Sequence, residues 1–449
     1  MFEICTIGGY EEVGKNMTAL KIKDDVILID GGIYLPPLME MQESETKEKV
    51  TLKKLRKIKA VPDDLVLDKL GWKDKVRAII IGHAHLDHVG AIPYLAPRYP
   101  KATIYATPFT MEVLNQICQD EKIQLPNPKK KINSDSSFTI RGKSENYNVD
   151  FVHITHSTIQ CVFPVIHTSQ GTLVYTLDFK LDNFPTMGKP PNYNKLRELG
   201  KKGVKAVIID SLYSGSERKT PSERIARNLL EDAFSTAIQD KNSALFVTTF
   251  SSHIARLKSI VEFGKRTKRQ IIFMGRSLNK YVSAAIKVNK NPLTHNVKLI
   301  KYRKQIDSML KKINQNRGKY LIVCTGHQAE PGSIMDRLVK GETPFKFRAG
   351  DNVIFASSVI PTPVSIVNRD RMDKRLRLKS VRVQTDIHVS GHASKEDLRE
   401  FLGLLKPEHI IPAHGSLQQE APMIELATEM GYKFGETSHL SSNGKVLKF

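Results

Sequence analysis

In the first third of the chain, short apolar runs alternate with Gly-rich or polar turns at the spacing of strands. ALKI (19–22), DVILIDGG (25–32), VRAIIIGHAH (76–85), ATIYATP (102–108), VDFVHITH (149–156) and GTLVYTLDF (171–179) are short, β-branched and bounded by turn formers, which predicts buried or half-buried strands. Residues 39–75 interrupt them with a charged, helix-prone insertion that includes KEKVTLKKLRKIK and is expected to be a surface excursion. From about Ala206 the rhythm lengthens. AVIIDS is followed by a helix opened by Thr220, Pro221 and Glu223 in capping-box spacing, then by ALFVTTF, IARLKSIVEF, QIIFMG and YLIVCTG. These runs predict parallel βαβ units, whose strand ends at Thr248-Thr249-Phe250, Gly275 and Gly326 lie beside the crevice where such sheets bind ligands. After the basic stretch Arg369 to Arg382, short strand signals return around TDIHVSGHAS and HIIPAHGS.

A chain of 449 residues, 40% of them hydrophobic, exceeds one ordinary core and is apolar enough to bury two, so two domains are expected. The balance of 69 Lys+Arg against 47 Asp+Glu leaves +22, a field that collects polyanions with strong salt dependence. Nucleic acid is the natural partner, although charge alone fits an ordinary basic protein equally well. Cys5, Cys118, Cys161 and Cys324 are widely spaced and contain no C-x-x-C pair, which argues against a disulfide framework or a thiolate zinc site. The N-terminus has no signal-peptide pattern, and no apolar run approaches the roughly 18 residues of a membrane span. A soluble protein of the reducing cytoplasm is expected, with no membrane partner.

The chemistry concentrates at His83-Ala84-His85-Leu86-Asp87-His88, between the buried run AIIIG and the helix-like VGAIPYL. Imidazoles two residues apart can reach one ion while Asp87 and His88, at the far end of the loop, turn toward a neighbouring one. Further ligand types stand at the ends of later strands: His156, Asp178 and His414. Taken singly, each is more often a structural residue. Together they complete a dinuclear site, in which Asp178 can place its two oxygens on two ions.

These motifs, in this order, resemble those of the metallo-β-lactamase fold. Asp30 in LIDGG, HAHLDH, His156, Asp178 and His414 match its metal motifs, while Asp210 in IIDSLYS, His392 in HVSGHAS and His414 in PAHG are similar to the three motifs of the β-CASP nucleases. The wording of TTFSSHIARL, MGRS, TGHQAEPGS and HVSGHAS…PAHG is most similar to RNase J, and the 35 residues that follow His414 resemble its shorter archaeal form. The resemblance implies an α/β fold: a metallo-β-lactamase αββα sandwich in two parts, 1–205 and 376–449, with a β-CASP domain of parallel βαβ type inserted at 206–375. It implies one ion on His83, His85, His156 and Asp178, another on Asp87, His88, Asp178 and His414, and Asp30 behind them, orienting a ligand imidazole. Imidazole and carboxylate without thiolate suit zinc, with manganese the competitor.

Such a pair of ions can hold a bridging hydroxide and clamp a nonbridging phosphate oxygen, so no Ser or Cys nucleophile is needed. Asp87 contributes to catalysis through its ion. The departing 3′ oxygen needs a proton, for which His392 is the candidate, oriented by Asp210. A 5′-monophosphate end would be held by Ser252, His253, His388, Ser390 and Gly391, as the matching segments of RNase J imply, although Ser252 and His253 also read as a helix-capping turn. Arg276 is a candidate contact to the RNA backbone. Two departures from the family stand out: His156-Ser157-Thr158-Ile159 replaces the common HSIP, and His327 stands where Ser is usual. The implied activity is 5′-to-3′ exoribonucleolysis of single-stranded RNA in RNA decay and processing, releasing nucleoside 5′-monophosphates. The alternatives are a β-CASP endoribonuclease of the cleavage-and-polyadenylation type, a small-molecule metallohydrolase on the same fold, and a non-catalytic RNA-binding scaffold. A homodimer is the default assembly.

Overall fold

Alternation along the strands decides the architecture, because successive side chains leave a strand on opposite faces. In Asp25–Ile29 and Val76–Ile81, Ile27, Ile29, Ala78 and Ile80 point into a core shared with Tyr147, Val149, Leu173, Tyr175, Ala206 and Ile208. Their neighbours Val26, Leu28, Ile79 and Ile81 point the other way, toward helices. Two sheets therefore pack face to face with helices outside.

The computed structural model describes residues 2–44, 50–238, 240, 242–294, 296–360 and 363–449; residues 45–49 of the 39–75 insertion lie outside them. Among the described residues the strands form three sheets. The first runs Lys445–Lys448, Phe2–Gly8, Met17–Ile22, Asp25–Ile29, Val76–Ile81, Thr103–Ala106, Lys129–Lys131, antiparallel to Asp25–Ile29 and parallel beyond it. The second runs His409–Ala413, Ala206–Asp210, Gly171–Thr176, Val162–Thr168, Asn146–His153, Ser136–Arg141, with the first three mutually parallel. Its outer face, through Val174, Val207 and Ile209, is covered by helices Tyr193–Lys202, Lys395–Leu405 and Leu417–Glu429.

The third sheet is all-parallel, in the order Val297–Ile300, Gln270–Met274, Tyr320–Cys324, Leu245–Thr248, Asn352–Phe355, Arg382–Gln384. Leu245, Val247, Ile271 and Phe273 face one layer of helices, and Phe246, Ile272, Met274 and Ile322 the other. Burial on both faces explains why these strands read as continuous apolar runs. The α/β sandwich with an inserted parallel sheet is thus the architecture the sequence implied.

Details differ from expectation. Ala206–Asp210, expected to open the inserted unit, pairs with Gly171–Thr176 and His409–Ala413 in the sandwich, because Ala206 and Ile208 fill the space between its sheets. Arg382–Gln384, expected beyond the insert, adds an edge strand to the parallel sheet. The helix Glu223–Ala237 is capped by Ser222, whose hydroxyl accepts from the Arg224 amide; Thr220 instead donates to the His392 carbonyl at 2.8 Å. The insertion at 39–75 is not only surface. Leu55, Ala60, Val61, Leu67 and Trp72 are buried against the first sheet's outer layer, and Asp64 pairs with both Arg56 and Arg98. All four cysteines are free and buried, and among the described residues no helix is long and apolar enough to cross a membrane.

Ile80 is fully buried between the two sandwich sheets. Ile80→Ala is expected to destabilise the protein by about 2–5 kcal/mol, read as a lowered denaturant midpoint with secondary structure retained in buffer.

Candidate metal centre and the adjoining cleft

The ligand-type residues stand at or just past the carboxyl ends of sandwich strands: Asp30 after Ile29, His83 after Ile81-Gly82, His156 after His153, Asp178 after Thr176, and His414 after Ala413. Asp30, Asp178 and His414 each adopt a left-handed backbone, at φ 60, 59 and 63°. This conformation costs about 1–3 kcal/mol per residue and persists only where the surroundings impose it. The turn after Ile29 is strapped to the ligand loop by bonds from the Gly31 amide to the His88 carbonyl (2.8 Å) and the Ile33 amide to the Leu86 carbonyl (2.9 Å). Gly32 is required there, since a Cβ would lie 1.6 Å from the Asp87 carbonyl oxygen.

The side chains converge in two groups around one carboxylate. His85 Nδ1 lies 3.1 Å from His83 Nε2 and 3.0 Å from His156 Nε2, and Asp178 Oδ2 is 3.4, 4.0 and 3.7 Å from His83, His85 and His156. On the other side, Asp178 Oδ1 is 3.2 Å from His88 Nε2 and 3.5 Å from His414 Nε2, while Asp87 Oδ2 is 3.6 and 3.9 Å from the same nitrogens.

Three of the rings are held from behind the ligand faces. His88 Nδ1 donates to Asp30 at 2.6 Å, and the other Asp30 oxygen accepts from the Gly82 amide. His156 Nδ1 donates to the Gly391 carbonyl at 2.7 Å, an approach so close that a Cβ on Gly391 would sit 2.8 Å from the ring. His414 Nδ1 donates to Asn16 Oδ1 at 3.1 Å. Each bond turns Nε2 inward.

This donor set fits divalent cations. Protons cannot satisfy three imidazole nitrogens facing one another, and among the described residues buried Asp178 Oδ1 finds no hydrogen-bond partner. Burial, with the charge of His88 nearby, pushes His83 down to about 3, which is the neutral, ligating form. Burial opposes ionisation of Asp178, but His414 and His88 hold its carboxyl well below the usual range.

His392 joins the same cluster. Its ring lies 5.2 Å from that of His156 and is stacked 5.4 Å from that of His414. Nδ1 donates to fully buried Asp210 at 2.7 Å, leaving Nε2 as the free nitrogen. Burial disfavours a charged ring, yet Asp210, with Asp178 and then Asp87, raises it to about 9.

Beside His156 opens a cavity of about 550 Å³, whose lining includes Ser157, Lys180, His253, Ser390 and Gly391. Ser252 is buried in the turn before His253. His253 is engaged internally: Nδ1 accepts from the Arg256 amide, and Nε2 is 3.3 Å from Glu223, so it forms a wall and helix cap rather than a free donor. His388 is not among the lining residues; it lies near Phe250, with ring centroids 5.9 Å apart, and its Nδ1 has no partner among the described residues. Arg276 is exposed at the start of helix Arg276–Lys287. Sequence reasoning missed Asn16, Thr220 and Tyr281, whose hydroxyl reaches the Ala84 carbonyl of the ligand loop from the inserted domain at 3.1 Å. Asn16 and Tyr281 carry no motif signal, because their partners are distant in sequence.

Three family descriptions match: "Beta-lactamase superfamily domain" over residues 58–186, "Ribonuclease J, beta-CASP domain" over 242–372, and "Zn-dependent metallo-hydrolase RNA specificity domain" over 380–434. The chain is similar to Ribonuclease J of Pyrococcus abyssi, with 41% identity covering 100% of this chain and 97% of the relative. It is also similar to that of Methanocaldococcus jannaschii, with 39% identity covering 100% and 98%. Ribonuclease J of Thermus thermophilus is 28% identical, covering 99% of this chain and 74% of the relative. A crystal structure of a protein of unknown function from Enterococcus faecalis V583 shares the fold, with a TM-score of 0.63 at 17% identity over 99% of both chains.

Asn16→Ala removes the partner that orients His414. Zinc affinity, measured by competition with a chromogenic chelator, is expected to fall about 10–100-fold with the thermal midpoint of the metal-free protein little changed.

Proposed function

The chain belongs to the ribonuclease J family and is a zinc-dependent metallo-hydrolase ribonuclease; from that premise we propose that it degrades single-stranded RNA from the 5′ end. In this reading it prefers 5′-monophosphate ends, releases nucleoside 5′-monophosphates and serves RNA decay and processing. The observation that carries it is the cavity of about 550 Å³ that begins at His156 and continues to Ser390 and Gly391. Its size lies within the roughly 300–1,000 Å³ of small-ligand pockets. A terminal nucleotide fits such a pocket, which suits removal of one nucleotide at a time. The net charge of +22 draws the RNA in.

Two ions are proposed, one held by His83, His85, His156 and Asp178 Oδ2, the other by Asp87, His88, His414 and Asp178 Oδ1. Divalent ions held by these residues would supply a water with its pKa lowered toward neutrality and positive charge beside a nonbridging phosphate oxygen. The chain's own residues do the rest. Ser390 and the Gly391 backbone hold the terminal phosphate from the pocket lining, while Ser252 and His388 lie outside that lining, the His388 ring kept uncharged by burial and the nearby Arg256. His253 forms the pocket wall. Asp210 keeps the proton of His392 Nδ1, so that Nε2 delivers its own proton to the departing O3′. The P–O3′ bond breaks as the water oxygen joins phosphorus, and the proton released by the water restores His392. The products are a nucleoside 5′-monophosphate and an RNA with a new 5′-phosphate.

With zinc present, 5′-monophosphorylated single-stranded RNA is expected to yield mononucleotides, and the 5′-triphosphorylated RNA to react at least about tenfold more slowly. Internal fragments regardless of the 5′ end would sink the exonuclease reading; removing metal with a chelator is expected to abolish both reactions. His392→Ala and Asp210→Asn are expected to lower kcat by about 10²–10⁴-fold while KM stays within about threefold. A rise in KM at unchanged kcat would instead assign the pair to binding.

A further inference from the structure

Outside the metal cluster and its pocket, a second set of polar groups remains unused. Thr248 Oγ1, His327 Nδ1 and Nε2 and Ser357 Oγ are buried without a hydrogen-bond partner among the described residues. They stand at the carboxyl ends of three adjacent strands of the parallel sheet, Leu245–Thr248, Tyr320–Cys324 and Asn352–Phe355. The strand order changes direction there. From Leu245–Thr248 the chain builds out to one side and returns as Tyr320–Cys324, then crosses to Asn352–Phe355 on the other side. The crevice outside the carboxyl ends at such a switch point is where open parallel sheets take their ligands.

The backbone around this crevice is fixed while the His327 ring is left free. Arg369 donates to the His327 carbonyl at 3.2 Å, the Gln328 side chain bridges the Ser358 carbonyl and the Ile360 amide at 2.8 and 2.9 Å, and Thr249 donates to the Ala356 carbonyl at 2.8 Å. Gly326, at φ +110°, admits no side chain, since a Cβ would meet Ser333 Oγ at 2.4 Å. The His327 ring, 7% exposed, stands edge-on to half-buried Phe250 with centroids 4.1 Å apart. Phe250 in turn neighbours His388, three residues before the Gly391 carbonyl that holds His156. Phe250 therefore lies between His327 and the segment whose Gly391 carbonyl holds His156.

We propose that Phe250 and His327 form a nucleobase subsite on the RNA path, where one base stacks on the phenyl ring and hydrogen-bonds to the imidazole, with the Ser357 hydroxyl beside it. A base suits this place better than a phosphate. Burial and the neighbouring Arg369 push the His327 ring down to about 3, so it stays neutral and offers one donor and one acceptor. Arg369 is itself committed, bonded to Asp373 at 2.9 Å and stacked on Phe355. Aromatic side chains stack on any base of single-stranded RNA, because every base has a π-face. The proposal rests on the chain's being an RNA nuclease and does not depend on its preference at the 5′ end.

The test is a binding scan on the zinc-loaded protein with hydrolysis-resistant phosphorothioate RNA bearing a 5′-hydroxyl, each oligonucleotide carrying one abasic site. One abasic position is expected to weaken binding by about tenfold, and His327→Ala and Phe250→Leu are each expected to erase that penalty while leaving the other positions unchanged. His327→Asn, which keeps a donor and an acceptor, is expected to retain part of it and covers the case in which the alanine variant does not fold. A native profile without a sensitive position, a penalty that survives both substitutions, or uniform weakening along the RNA would each overturn the subsite. Because the RNA is neither cleaved nor 5′-phosphorylated, these outcomes leave the exonuclease reading to its own test.

Discussion

Asp178, 1% exposed, faces five imidazoles with two oxygens, Oδ2 toward His83, His85 and His156 and Oδ1 toward His88 and His414. A carboxylate so buried is costly unless positive charge is supplied. Both groups of ligands share it, so its position determines the distance between them. The sandwich serves this one side chain: its two sheets bring the carboxyl ends of their strands to a common rim, and the left-handed backbones of Asp30, Asp178 and His414 turn the chain there. The strain is offset by the core between the sheets and by the partners behind each ring, Asp30, Asn16 and the Gly391 carbonyl.

The inserted domain is tied to that rim rather than merely tethered to it. Fully buried Arg256 makes a bidentate pair with Glu223 at 2.6 and 2.8 Å and donates to the carbonyls of Ala356 and Ile387, which joins the end of a parallel strand to the segment leading into His388–His392. The Glu223 amide donates to Asp182 of the sandwich at 2.8 Å, and Thr220 holds the His392 carbonyl. Breaking a buried pair of this kind leaves an uncompensated charge worth about 3–5 kcal/mol. The same contacts bring the pocket wall, His392 and the histidine–aspartate cluster into one body, so that cleft and cluster form together.

Much of this was legible in the sequence, for physical reasons that differ from residue to residue. Strands such as Val76–Ile81 declare themselves because an apolar run of that length must be buried, and His83, His85, Asp87 and His88 declare themselves because one short loop carries both ligand pairs. The family wording of the β-CASP motifs then pointed to His392 and Asp210. What a strand pairs with is less visible, since alternation marks two buried faces and not the neighbours beyond the edges; Ala206–Asp210 therefore read as the start of the insert although it completes the sandwich. His253 read as a phosphate ligand with a helix cap as the alternative, and only the positions of Glu223 and the Arg256 amide decide that its nitrogens are taken.

The sequence by itself determined the chemical inventory, the ligand loop and the kinds of elements that present it, because these depend on local composition and periodicity. The tertiary structure decided which nitrogen of each ring faces into the cluster, through partners such as Asn16 and His414 or Asp210 and His392 that lie far apart along the chain. It also decided that His327 is buried with its ring nitrogens unpaired among the described residues. Those outcomes depend on where distant strand ends meet, and that is set by the packing of whole sheets.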